Sequence, residues 1–253
     1  GNLNASEAYT TMRDALYTAG RPILLSICEW GSSNPWEWAA PIGHSWRTTG
    51  DIYNCFDCVH DHGTYLSFGV TKILTIRDQD ILRKIAGPDH WNDMDMLEVG
   101  NGALTLHEEQ THFALWAMLN SPLVLGNDIR DIKKETLEVL TNKNIIALNQ
   151  DSLGIQGFKY KNIGDVEIWV KPLLKGKWAL CFFNHSTEPK EFVFDWLQEQ
   201  IKDEVFGHEI AFNSKKTYKI KDLYLDKEIG NTKKALKKTL EKYQSLVVKI
   251  YEK

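Results

Sequence analysis

Four cysteines in 253 residues are too few for a disulfide scaffold. No stretch approaches the roughly 18 uninterrupted apolar residues that a membrane span requires, so no membrane partner is expected. Basic residues are not in excess: 30 Lys and Arg face 34 Asp and Glu, a net charge of -4, which argues against a nucleic-acid partner. No glycine-rich phosphate fingerprint follows a strand candidate, which disfavours a nucleotide site. Cys55-Phe56-Asp57-Cys58 has no second pair at zinc-finger spacing. Despite His60 and His62 nearby, it reads as two surface or half-buried thiols rather than a metal site. The chain opens Gly1-Asn2-Leu3 without an initiator Met, and no signal-peptide pattern is expected at this start. Asn4-Ala5-Ser6 and Asn184-His185-Ser186 fit the glycosylation triplet, which chance alone also supplies.

What is present is a globular mix, 43% apolar and 25% charged, enough to bury a core in one large domain or two modest ones. Its charge is uneven. Residues 1–150 hold 11 Lys and Arg against 19 Asp and Glu; residues 151–253 hold 19 against 15. Six of the nine Trp precede residue 151. An acidic, Trp-rich half followed by a Lys-rich half suggests two domains. Indole faces and carboxylates suit a sugar site, and six Trp equally suit a core.

Residues 6–19 predict an amphipathic helix, capped by Ser6 and ended by Gly20, with Ala8, Met12, Ala15, Leu16 and Ala19 on its apolar face. Residues 21–28 then read as a buried parallel strand, apolar without alternation, giving way to Glu29-Trp30-Gly31. Ser45–Thr49, Trp91–Met96 and Pro122–Leu125 repeat the pattern, each running into polar residues. Residues 107–119 and 131–148 predict helices. About four β/α units with charged strand ends match a (β/α)₈ barrel, whose site lies on that face. An open doubly wound sheet is the competing architecture. After Asp151, strand patterns at 166–170, 178–183, 191–194, 218–223 and 245–250 predict an antiparallel β domain. Lys175-Gly176-Lys177 reads as a hairpin turn, and Lys233–Lys242 as a short helix or a solvated connector.

Two acidic strand ends stand out. Asp51 follows Arg47 by four residues, a spacing that fits a structural ion pair first and a shared substrate second. Trp91-Asn92-Asp93-Met94-Asp95-Met96 places two carboxylates at i and i+2, on one face if extended. Such a pair could hold sugar hydroxyls; a metal is less well served, because no third ligand lies at fixed spacing.

Several motifs, in order, resemble family 27 glycoside hydrolases, the α-galactosidase (melibiase) family. They are Glu29-Trp30-Gly31, Trp46-Arg47-Thr48-Thr49-Gly50-Asp51-Ile52, Gly87-Pro88 with Trp91–Leu97, and Val99-Gly100-Asn101-Gly102. His112–Met118, Ser121-Pro122-Leu123, Asn127-Asp128-Ile129-Arg130 and Asn149–Gly154 follow. The resemblance covers residues 6–184, and more loosely Gly157 to Pro172 and Asp222 to Gly230. It implies the second half of a (β/α)₈ barrel over residues 1–152 and an antiparallel β-sandwich over 153–253. It also implies removal of terminal α-linked galactose with retention, by a nucleophile and an acid/base. Asp51 matches the acid/base. Arg47 matches a substrate-binding arginine near the sugar 2-position, Glu29 and Trp30 line that region, and Asp95 and Met96 match a substrate-contacting pair. Asp93 supports them. No cofactor is implied, the partner is an α-galactoside, and the compartment is secreted, periplasmic or lysosome-like.

The family's nucleophile is an Asp in a Lys-Tyr-Asp-Asn-Cys-like strand end, and no such motif occurs in this chain. The acids and Trp of the first barrel strands are also absent. The chain therefore reads as a fragment of an enzyme of about 400 residues, inactive alone. Ile42-Gly43-His44 stands where some relatives carry a partner for Cys28. Relatives acting on α-N-acetylgalactosaminides or β-L-arabinopyranosides, and a non-catalytic sugar-binding fragment, are the alternatives. The bulky acid at Glu29 favours plain galactose.

Overall fold

The computed structural model describes residues 4–213 and 215–252, so the opening Gly1-Asn2-Leu3 lies outside the described residues. Helix α1 (Ala5–Tyr17) is capped by Asn4, whose side chain accepts the Glu7 amide at 3.3 Å. Ser6, the expected cap, lies inside the helix; extended backbone at Asn4 puts that side chain in reach of the third helical amide instead. The apolar stripe of α1 buries no residue, and Met12 is 51% exposed.

Strand β1 (Ser26–Ile27), the short helix α2 (Pro35–Trp38) and β2 (Ser45–Arg47) follow. A hairpin, β3 (Val59–Asp61) and β4 (Leu66–Phe68), precedes α3 (Val70–Ile76) and α4 (Gln79–Arg83). Then come β5 (Trp91–Asp93), α5 (Leu106–Met118), α6 (Lys134–Leu140) and α7 (Lys143–Asn149). Strands β1, β2 and β5 form a parallel sheet in that order, with Ile27 opposite Trp46 and Arg47 opposite Asp93.

Three expectations are corrected. The strand over 21–28 shrinks to β1, because among the described residues β1 pairs on one side only. Residues 122–125 keep only an isolated parallel bridge, Leu97 to Leu125. Both are sheet margins, and there Leu24 and Val124 are exposed. The helix over 131–148 divides at Thr141-Asn142. Asn142 caps α7 by accepting the amides of Asn144 and Ile145, a local signal strong enough to break a continuous apolar period.

The second part is a β-sandwich. Its larger sheet contains β6 (Phe158–Ile163), β7 (Val166–Leu173) and β8 (Lys177–Asn184), and the smaller layer begins with β9 (Lys190–Phe194). The chain continues through β10 (Gln200–Lys202), β11 (Glu209–Ala211), β12 (Tyr218–Asp222) and β13 (Lys227–Asn231). It ends with β14 (Leu236–Leu240) and β15 (Ser245–Glu252). The six-stranded sheet has the order β13-β12-β15-β8-β7-β6, every pair antiparallel. Residues 233–242 are not a helix: Leu236 and Leu240 point inward, and β14 pairs with β9.

Strand β8 shows why its sequence is apolar without interruption. Trp178, Leu180 and Phe182 pack into the sandwich with Phe192, Phe194 and Trp196. The alternate residues Ala179, Cys181 and Phe183 pack with Phe113, Trp116 and Ala117 of α5. A strand covered on both faces needs both parities apolar, and each large side chain buried contributes roughly 1.5–3 kcal/mol. Asn184 ends the strand fully buried, and its amide donates to the carbonyls of Glu188, Leu240 and Glu241. It is a strap across the sandwich, and a glycan could not be attached without breaking these bonds.

Among the polar contacts that join the parts, two involve buried charged side chains. Arg83 of α4 donates a bidentate pair to Asp203 at 2.8 and 2.7 Å, both side chains buried, and also donates to the Gln156 carbonyl. Lys171 of β7 reaches the C-terminal end of α5, where its ammonium donates to the Met118 carbonyl and to Asn120. Burial pushes the Lys171 amine down to about 7. Its unfolded value lies near 10.4. Between about pH 7 and 10 the unfolded chain therefore binds the extra proton, and the native state gains stability as pH rises. Lys171→Met is expected to lack this slope, so that the wild-type and variant urea-midpoint profiles diverge over pH 7–9. Parallel profiles would show that the amine titrates normally.

Candidate active site

The C-terminal ends of the parallel strands turn out in one direction and bring their polar residues together. After β2, the Arg47 guanidinium lies 2.6 Å from an oxygen of Asp95 and 3.2 Å from Asp51, and it donates to the Gly50 carbonyl at 2.9 Å. After β1, the Trp30 indole donates to the same Asp51 oxygen at 3.0 Å. Four of the residues singled out by sequence thus share one cluster. Arg47 is buried beneath it, whereas the Asp51 side chain is 46% exposed and Trp30 is 52% exposed.

The loop after β5 is held from several sides. Asp95 has a left-handed backbone, φ +84°, which costs a non-glycine residue energy and persists only when its surroundings determine it. Here they do. Its carboxylate accepts the Ile52 amide at 2.8 Å, its own amide donates to Asp93 at 2.8 Å, and its carbonyl accepts the Trp116 indole at 2.8 Å. The Ser121 hydroxyl accepts the Met94 amide, and His112 accepts the Glu98 amide. Burial pushes His112 down to about 3, so the ring stays neutral and remains an acceptor. Burial raises the Asp93 carboxyl above the usual carboxylate range, against the Asp95 amide and the Arg47 charge, which pull it down.

Glu29 stands apart from the cluster's bonds, and Met96 joins it through its backbone amide, which donates to the Asp95 carboxylate at 2.8 Å. Glu29 is buried, and one oxygen accepts the amide and hydroxyl of Ser33 at 2.7 and 2.6 Å. Its other oxygen is buried with no partner, as is the Nε of Arg47. Met96 lies over Gly126, where an added Cβ would fall 2.7 Å from its sulfur. A groove of about 580 Å³ runs past Ser26, Ser45, Asp93, Asn120 and Val124; none of the four clustered side chains lines it, and it adjoins them through Asp93, which accepts the Asp95 amide. Cys28 is a free, exposed thiol. Cys55 and Cys58, expected as thiols, form a disulfide. Their Cα atoms are 6.2 Å apart, within bridging range, and Gly69 packs so closely that a Cβ there would meet Cys55 Sγ at 2.8 Å. Among the described residues no three metal-ligating side chains converge, and no helix is long and apolar enough to cross a membrane.

Known proteins share this fold. A family profile described as alpha galactosidase A matches residues 2–151, and one described as the alpha galactosidase C-terminal beta sandwich domain matches residues 163–250. The Alpha-galactosidase A of Cellvibrio japonicus is 51% identical over 235 residues, 93% of this chain and 57% of its own length. The chain belongs to the melibiase family of α-galactosidases. The Alpha-galactosidase 2 of Arabidopsis thaliana is 39% identical over 93% of this chain and 53% of its own. The crystal structure of alpha-galactosidase I from Mortierella vinacea superposes with a TM-score of 0.85, at 28% identity, over 98% of this chain and 63% of that one.

The chain thus spans a little over half the length of these curated relatives. Its parallel strands and helices are the second half of the melibiase barrel, followed by the family's sandwich. Sequence reading assigned no role to the residues that hold the Arg47–Asp51–Asp95 cluster in place. Trp116, His112 and Ser121 support the 94–98 loop from α5 and just beyond it, 14 to 27 residues away in sequence. Only tertiary packing reveals which backbone atom each one meets.

Proposed function

We propose that this chain carries the acid/base side of a retaining α-galactosidase site, with the nucleophile on the barrel strands that close its open sheet margin. The observation that carries it is the convergence of Arg47, Asp51, Asp95 and Trp30 at the C-terminal strand ends.

In the first step the nucleophilic carboxylate attacks the anomeric carbon and the glycosidic C–O bond breaks. Asp51 gives its proton to the departing oxygen. In the second step Asp51 takes a proton from water, the water oxygen bonds to the anomeric carbon, and the enzyme carboxylate leaves. The exposure of Asp51 beside a buried Arg47 fits a group that must meet both a leaving group and water. Arg47 and Asp95, held rigidly, suit sugar hydroxyls, and Asp93 fixes the Asp95 amide. Without the nucleophile this chain alone is expected to form no glycosyl-enzyme. Co-expression with the preceding barrel half tests this: hydrolysis of an aryl α-galactoside by the pair supports the reading, and a stable but inert pair overturns it.

Plain galactose is favoured over its N-acetyl relative by Glu29, a buried bulky acid with one oxygen unpartnered. Glu29→Ser in the full-length protein should raise selectivity for α-N-acetylgalactosaminides about tenfold. Unchanged selectivity would remove Glu29 from substrate choice. The Cys55–Cys58 disulfide supports an oxidising, secreted, periplasmic or lysosome-like compartment.

A further inference from the structure

The β3–β4 hairpin is built onto the backbone that carries Asp51. Phe68 donates its amide to the Asp51 carbonyl at 2.9 Å, and its own carbonyl accepts the Tyr53 amide at 2.9 Å. The Phe68 ring stands where a Cβ on Gly50 would be, at 3.0 Å. The Cys55–Cys58 disulfide and the close approach of Gly69 fix the base of this segment.

Four rings line up along it. Tyr53 stacks on His60 with centroids 4.2 Å apart and planes 4° from parallel. His60 meets His62 edge to face at 4.4 Å, and His62 stacks on Tyr65 at 4.3 Å and 12°. The Ser67 hydroxyl fixes His62 at 2.9 Å. Strand alternation puts His60, His62, Tyr65 and Ser67 on one face of the hairpin. None of the four rings belongs to a hydrophobic core, and Tyr65 is 54% exposed. An aromatic ladder that packs on itself at the surface, two residues beyond a proposed proton donor, calls for a ligand.

We propose that the Tyr53–His60–His62–Tyr65 ladder is the subsite for the leaving sugar, a neutral pyranose joined through its oxygen to the galactose being released. The inference rests on Asp51 being the acid/base. A general acid protonates the leaving oxygen, so the leaving group must lie on its side of the site. A pyranose presents an apolar C–H face that packs on flat rings, and hydroxyls at its edge that bond to phenol and imidazole groups.

The test compares two substrates in the full-length protein. One is α-galactosyl fluoride, whose leaving group is a single atom; the other is an α-1,6-linked galactosyl-glucose. Tyr65→Ala is expected to lower the ratio of kcat/KM for the disaccharide to kcat/KM for the fluoride about tenfold, and Tyr65→Trp to restore it. Because the readout is a ratio, loss of folded enzyme cancels. A ratio within about twofold of wild type in Tyr65→Ala overturns the subsite while the function stands. A wild-type enzyme that cleaves neither substrate overturns the functional reading, and the subsite with it.

Discussion

Asp51→Asn in the full-length protein is expected to lower kcat/KM for an unactivated galactosyl disaccharide about 10³-fold, the range that positioned proton transfer contributes. The exchange keeps the shape of the side chain. Asn retains an oxygen that can accept from Trp30 and Arg47, so the cluster at 3.0 and 3.2 Å need not rearrange. What is lost is the proton delivered to the leaving oxygen and later recovered from water. An aryl galactoside with a good leaving group needs no such proton, so its first step should suffer much less and glycosyl-enzyme should accumulate. Added azide, which needs no general base, should then restore turnover. Asp93→Asn is the control. Its carboxyl is raised by burial, as an acid's would be, yet it is committed to the Asp95 amide at 2.8 Å. It should disturb the disaccharide and the aryl substrate equally. A loss below about tenfold in Asp51→Asn, with azide without effect, would assign the acid elsewhere.

Arg83→Ala is expected to cost about 3–5 kcal/mol of stability, because it strands a buried carboxylate. The Arg83 and Asp203 side chains are 1% and 0% exposed, and they meet through two short bonds. The guanidinium also lies 4.3 Å over the Phe158 ring and donates to the Gln156 carbonyl, so the one side chain ties α4, the connecting segment and the sandwich. Burial acts to raise the Asp203 carboxyl, but the bonds and charge of Arg83 outweigh it and hold the group below the usual carboxylate range. Its stabilisation is therefore complete above the unfolded carboxylate pKa and is lost as pH falls through the lower folded value. The urea midpoint of Arg83→Ala against wild type measures the cost. Arg83→Met with Asp203→Asn should recover part of it, since the pair would leave no unpaired charge. Equal midpoints in the single variant would mean that the two parts hold together without this contact.

How much of this was legible beforehand depended on the range of the interaction. Strands β7, β8 and β15 follow from local apolar runs, and β8 was plain because both of its parities are buried. The strands at residues 21–28 and 122–125 were overread: the same apolar composition at a sheet margin, with neighbours on one side at most, supports two residues or a single bridge. Lys233–Lys242 hid a strand, because only Leu236 and Leu240 of β14 face inward and the lysines between them mask the alternation. Asp51, Arg47, Trp30 and Asp95 were found through ordered motifs, and the structure places all four in one cluster. Arg83 could not be found, since nothing near it in sequence announces a partner 120 residues away. The disulfide was missed for a related reason: a lone CxxC says nothing about the turn that closes it.

The stereochemical course of the full-length protein is the most direct test of the central claim. An aryl α-galactoside is hydrolysed in the NMR tube and the first-formed anomer is read before mutarotation. A double displacement in which Asp51 serves as acid and then as base releases α-galactose first. β-Galactose first would make the reaction a single displacement with no glycosyl-enzyme, and inertness toward α-galactosides alongside cleavage of another glycoside would remove galactose itself. Either result would contradict the role proposed for the Arg47–Asp51–Asp95 cluster.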